Sequence, residues 1–234
     1  HLAAVDRFVA VSASYADRMA EWLALDRSRF RVVYPGLDPS FYRQADPTRQ
    51  PPVIGFLSRL SAEEGFDRFV DAFLLLRRDS RFSDVRLAAT GGPSADRRFL
   101  KRQRRKLAAV GALADAEITP DRFAHDRVGF LAGLSVLSVP GGSAPEALGY
   151  YALEAMAAGV PLVLPAHGAF IDLADLARCG VLTPDAQPET LARAWAELLA
   201  DPERLRRESE RGLAAARTHF SHDACAAAFE RTVV

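Results

Sequence analysis

The chain predicts an α/β fold: a Rossmann-like parallel sheet with helices on both faces, followed by a helical C-terminal tail. Three observations predict it. Short β-rich apolar runs alternate with stretches whose apolar residues recur at helical spacing, the βαβα rhythm of a parallel sheet. Glycine and short polar residues gather just after several of these runs, where the backbone of such a sheet approaches a ligand closely. The 234 residues, 49 % hydrophobic and 26 % charged, are enough to bury a large core. Right-handed crossovers then make the sheet doubly wound.

The elements follow in order. "RFVAV" (7–11) is a first strand, a helix capped by Ser12 or Ser14 comes next, and "RVVY" (31–34) is a second strand; together they are too small to be a domain. "DPSFYRQADPTRQPP" (38–52), rich in proline and polar residues, reads as a linker between two units. Beyond it, "VIGFL" (53–57) leads to a helix carrying Phe66, Phe69, Val70, Phe73 and Leu74 at helical spacing. "VRLAAT" (85–90), a weak "AEIT" (116–119), "SVLSV" (135–139), "PLVL" (161–164) and "GVLT" (180–183) continue the sheet. After Pro188 the pattern is helical only.

Composition excludes several classes. Thirty basic and thirty acidic side chains cancel, so no global field selects nucleic acid or an anionic membrane. Cys179 and Cys225 lack metal-type spacing and read as free thiols, the five histidines do not join them, and no metal site is expected. No apolar run approaches the ~18 residues of a bilayer span. The chain opens on His1 without an initiator Met and enters an ordered pattern at once, as a piece of a longer protein would. "RRFLKRQRRK" (97–106), with seven cations in ten residues, reads either as a solvated helix face or as a patch for anionic lipid.

Ligand chemistry is expected at the loops after the strands: "SRLSAEEG", "GGPS", "PDRF", "PGGSAPE" and "PAHGAF". The last two feed helices, whose first N–H groups suit a phosphate. In "SAPEALGYYALEAMAAGVPLV" (143–163), Gly149 permits close backbone approach near a helix start, with Glu146 at its mouth and Glu154 eight residues on. A continuous helix separates the two carboxylates by ~12 Å of rise, too far to share a proton but suited to the two ends of an elongated ligand. Taken singly, Glu146 also reads as a first-turn carboxylate complementing a helix dipole, and Glu154 as an exposed or salt-bridged helix residue. His167 is either a ligand to such a molecule or a plain loop residue.

The combined pattern resembles retaining GT-B glycosyltransferases of the glycosyltransferase 4 (group 1) family. Glu146-x7-Glu154 in "EALGYYALEAMAAGVPLV" is similar to that family's signature. "VAVSASYADRM", "RVVYPGLDPSFY", "IGFLSRLSAEEGFDRFVDAF" and the tail segments "GVLTPDAQPETLARAWAELLADPERLRR" and "FSHDACAAAFERTV" agree in order and spacing. The resemblance implies that residues 1–36 are a remnant of the N-terminal acceptor domain plus an interdomain strand. Residues 37–216 become the nucleotide-sugar-binding domain and 217–234 a crossover helix. It implies catalytic roles for Glu146, at the donor sugar, and for Arg59, at the diphosphate. Glu154 is implied to hold the ribose hydroxyls, and the backbone around Ala147, Leu148, Gly149 and Tyr150 the diphosphate. Ser58, Glu64, Thr119 and Phe123 complete the implied donor site, the last two beside the base.

The implied activity is sugar transfer from a UDP- or GDP-sugar, without a required cofactor or metal, to a glycan or lipid-linked acceptor. The expected location is cytoplasmic, with peripheral membrane association at the inner face if the basic run contacts lipid. Transfer is implied to need the missing N-terminal domain. Two positions depart from the pattern. The family's lysine five residues after the arginine is Glu64, a reversal worth several kcal/mol at ~4 Å from a phosphate with an effective dielectric of about 20. Asp172 stands where glutamate is common, and equally suits a helix cap. Glu64 keeps a second reading open, a non-catalytic nucleotide-binding or scaffold relative in a glycan-assembly complex. A GT-B-like epimerase or phosphorylase fits the paired glutamates and tail helices less well.

Overall fold

The computed structural model describes residues 2–91, 97–120, 126–142 and 145–233. Phe8–Ala10 (β1) and Phe30–Val32 (β2) pair in parallel, with helix α1 (Ala13–Leu23) between them in sequence. This piece has its own apolar cluster, in which Ala10, Ala16, Ala20 and Phe30 are buried. Ser12 is the N-cap of α1: its hydroxyl accepts from the Tyr15 amide at 3.1 Å.

The main sheet contains Val53–Leu57 (β3), Arg86–Thr90 (β4), Ala116–Thr119 (β5), Val136–Ser138 (β6), Leu162–Pro165 (β7) and Val181–Thr183 (β8). All neighbours are parallel, in the order β5-β4-β3-β6-β7-β8. β6 and β7 are buried at every position, as expected for strands covered on both faces. The predicted α/β class is the one observed, with strand ends shifted by a residue or two. The order reverses between β3 and β6, the point at which a doubly wound sheet opens a crevice at the carboxyl ends of its strands.

Helices α2 (Phe66–Leu76), α3 (Arg97–Ala109), α4 (Arg127–Ala132), α5 (Tyr150–Ala157), α6 (Ala169–Ala177), α7 (Pro188–Leu199), α8 (Pro202–Thr218) and α9 (His222–Val233) cover the sheet and form the tail. α2 packs on α7, and α5 on α8. Phe56, Phe66 and Phe69 interlock, and Trp195 of α7 meets Phe69 edge-on at 5.2 Å between ring centroids. Pro188 and Pro202 start α7 and α8, where a missing N–H leaves no intrahelical bond unmade. Among the described residues no helix is long and apolar enough to cross a membrane.

Two expectations change. The segment 38–52 is not a free linker: the Ala45 amide donates to the Ala158 carbonyl at 2.8 Å and Arg49 donates to the Gly133 carbonyl at 2.7 Å. Bonded at both points, it straps the sheet domain. The helix bearing the two glutamates begins at Tyr150, so Glu146 is outside it. The Glu146 carbonyl accepts from the Ala169 amide at 3.0 Å instead of from a helical partner, and Gly149 turns left-handed at φ 70°.

Candidate functional site

Leu57 of β3 runs directly into Ser58 and Arg59, and β6 runs into the loop carrying Gly141 and Glu146. These two loops flank the switch point. Gly91, next after β4, closes on them so tightly that a Cβ there would lie 1.7 Å from the Ser58 carbonyl oxygen; only glycine fits. Gly149 is equally constrained: its positive φ combines with Phe170, whose ring edge would be 2.6 Å from an added Cβ.

Two cavities open here. One, of about 560 Å³, has Arg59, Glu64, Gly141, Glu146 and His167 on its walls. The other, of about 320 Å³, has Ser58, Arg59, Gly91, Tyr150, Tyr151 and Glu154. Arg59 belongs to both walls, so Glu146 and Glu154 stand in adjoining spaces on either side of one guanidinium. A separate cavity of about 370 Å³ lies around the starts of β3 and β4, lined by Val53, Arg86 and Glu117 among others. The switch-point pair is the better candidate, because it sits at the carboxyl ends, where loops rather than strand starts present backbone and side chains.

Arg59 is engaged by Glu64, with Nη2–Oε1 at 2.7 Å and Nε–Oε1 at 3.2 Å. The arginine is largely exposed, which makes the pair weak, at about 0–1 kcal/mol. The anion at position 64 therefore turns toward the cation rather than away from it.

Glu154 is only 1 % exposed, yet its carboxylate reaches the cavity wall with two partners in place. Arg127, the first residue of α4, forms a close ion pair with Oε1, and the Tyr42 hydroxyl donates to the same oxygen at 2.9 Å. Burial, then the Glu154 charge and this hydrogen bond, push the Tyr42 phenol far above its ordinary range. Neither partner was singled out in the sequence. Tyr42 lies in the segment read as a linker, and Arg127 lies beyond "PDRF" with no motif of its own.

Beside Glu146, the His167 Nδ1 is buried without a hydrogen-bond partner among the described residues. Burial lowers its pKa from 6.5, Arg68 lowers it further, and Glu146 opposes them, so the ring is neutral at pH 7. Arg68 of α2 makes a close hydrogen bond to the Gly141 carbonyl, which puts a second guanidinium near this cavity. The Tyr151 hydroxyl is also buried with no partner among the described residues.

The remaining expected residues divide as follows. Ala147, Leu148 and Gly149 form the turn between the two carboxylates, anchored where the Ser12 hydroxyl donates to the Ala147 carbonyl at 2.7 Å. The Tyr150 hydroxyl donates to the Gly36 carbonyl at 3.2 Å. Thr119 ends the edge strand β5, its carbonyl accepting from Thr90 at 2.7 Å, and it is on neither cavity wall. Phe123 lies outside the described residues. Asp172 faces away from ligand chemistry: it accepts from the Ser14 amide at 2.7 Å and from the Ser14 hydroxyl at 2.9 Å, capping α1 from α6.

Comparison with known proteins bears on the family and the fold. The model of the family described as glycosyl transferases group 1 matches residues 40–214. A D-inositol 3-phosphate glycosyltransferase of Acidothermus cellulolyticus is 33 % identical over 95 % of the chain, and one of Nocardia farcinica is 30 % identical over 95 %. The chain spans about half the length of these curated relatives, 51 % in each case. Among solved structures, Anabaena HepE in complex with UDP superposes with a TM-score of 0.84 at 19 % identity, covering 97 % of this chain and 63 % of that one. The C-terminal domain of the glycosyl transferase group 1 family protein LpcC from Francisella tularensis gives 0.69 at 18 % identity, covering 80 % of this chain and all of that domain (100 %).

Proposed function

Because this chain belongs to the glycosyl transferases group 1 family, we propose that it is the donor-binding part of a retaining hexosyltransferase, moving sugar from a UDP- or GDP-sugar to an acceptor hydroxyl. The observation that carries this reading is Arg59 on the shared wall of two cavities, with Glu146 in one and Glu154 in the other. A nucleoside diphosphate sugar has that layout: ribose at one end, hexose at the other, phosphates between. UDP in the HepE complex, a protein of the same fold, adds support for a uridine nucleotide.

In this reading the ribose hydroxyls donate to Glu154, which Arg127 and Tyr42 hold in place. Amides at Gly149 and Tyr150, at the start of α5, meet the diphosphate together with Arg59 and Ser58, while Glu146 and His167 address the hexose. As the glycosidic bond breaks, negative charge grows on the departing diphosphate, and these donors are already oriented toward it. The acceptor attacks from the face the diphosphate leaves, so configuration is retained. Glu64 competes with the phosphates for Arg59 and has to yield when they bind. Residues 1–36 and 217–234 then belong with a second, acceptor-binding domain, and the acceptor is a glycan or lipid-linked. The chain alone binds nucleotide without transferring sugar. A cytoplasmic site of action, with the α3 cations touching anionic lipid, suits a lipid-linked acceptor.

Calorimetric titration with UDP, GDP and their glucose and mannose conjugates tests this reading. Glu154→Ala should weaken nucleotide binding by about ten- to a hundredfold, the loss of a charge-assisted hydrogen bond of ~1.5–3 kcal/mol. Equal affinity in the variant removes the ribose assignment. The Arg59–Glu64 pair specifically favours a second reading, a non-catalytic relative in a glycan-assembly complex. Absence of nucleotide binding in both wild type and Glu64→Lys would decide for it.

A further inference from the structure

The phenol of Tyr151 is a polar group without a described use. It lies in the first turn of α5, its hydroxyl is fully buried, and no partner for it exists among the described residues. Its ring meets that of Phe170, tilted, at 6.2 Å between centroids. The residue is on the wall of the cavity shared with Ser58, Arg59 and Gly91. A buried hydroxyl left unpaired is costly, and such groups persist where a ligand supplies the missing partner.

The surroundings decide which partner. Burial raises the phenol's pKa, and the nearby Glu146 and Glu64 carboxylates raise it further, so the group is a permanent O–H donor. Two cations share this wall: Arg59 carries Glu64, and Arg127 is paired with Glu154. A neutral donor there suits an anionic oxygen entering between Arg59 and the α5 N-terminus, alongside the Arg59 guanidinium once Glu64 yields it.

We propose that the Tyr151 hydroxyl is a binding group of the donor site, donating a hydrogen bond to a phosphoryl oxygen of the nucleoside diphosphate. This rests on the nucleotide-binding reading above. The test is Tyr151→Phe, titrated with uridine, UDP and UDP-glucose and with guanosine, GDP and GDP-mannose, alongside thermal denaturation of the unliganded protein.

Affinity for the diphosphate that wild type binds should fall about tenfold, with its nucleoside unaffected. The unliganded melting temperature should stay level or rise, since the hydroxyl has no partner among the described residues to lose. Three outcomes overturn the assignment while leaving nucleotide binding intact. These are equal diphosphate affinity, a loss confined to the sugar conjugate (a sugar hydroxyl as partner), and a lowered melting temperature (a structural partner). If wild type binds none of the six compounds, the underlying reading fails and this one with it.

Discussion

At Glu154 three distant parts of the chain converge: α5 itself, Arg127 from 27 residues away and Tyr42 from 112. The carboxylate was legible in the sequence as one of a spaced pair. Its partners were not, because a lone arginine and a tyrosine in a proline-rich stretch acquire meaning only when the fold brings them to one oxygen. His167 permits a prediction at the same scale. Its folded pKa is held below 6.5, so as pH falls the unfolded chain takes up this proton first. Stability contributed by neutral His167 is therefore full above pH 6.5 and is lost as pH drops through the folded value. Between pH 7.5 and 5 the melting temperature of wild type should fall relative to that of His167→Gln. Parallel curves for the two proteins would show that the ring is not held neutral.

The α5 entry shows how an element can be right in kind and wrong in extent. The sequence set Glu146 at the mouth of the helix and a continuous helix between the two glutamates, yet the first helical residue is Tyr150. Local pattern does not report that Ala169 takes the Glu146 carbonyl, or that Phe170 leaves no room for a Cβ at Gly149. Gly149→Ala combines a left-handed backbone with a clash against a buried ring, and should destabilise the protein by about 2–4 kcal/mol in urea denaturation. A loss below about 0.5 kcal/mol would mean the turn relaxes easily. The strands were more readable. Buried parallel strands leave continuous apolar runs, and β3, buried along nearly its whole length, matched its expected limits, whereas β1 and β8 were shorter than expected.

Over the whole molecule, the fold class followed from the order of elements, while the switch point, which needs the strand order, and the long-range pinning contacts did not. The unit formed by β1, α1 and β2 has its own small core and is held to the main sheet through Ser12, Ser14 and Asp172. Asp172→Ala removes two of those hydrogen bonds, so amide exchange should quicken by about tenfold or more in α1 and β2 and stay unchanged in β3 and β6. Uniform acceleration throughout would show instead that the two parts unfold as one. The segments entering and leaving the main unit meet at a parallel bridge between Leu37 and Ser221. There the Leu37 amide donates to the Phe220 carbonyl at 2.8 Å and the His222 amide to the Leu37 carbonyl at 3.1 Å. Entry and exit at one spot make the intervening stretch a cassette: a host chain interrupted at a single point can carry it with little change in its own path.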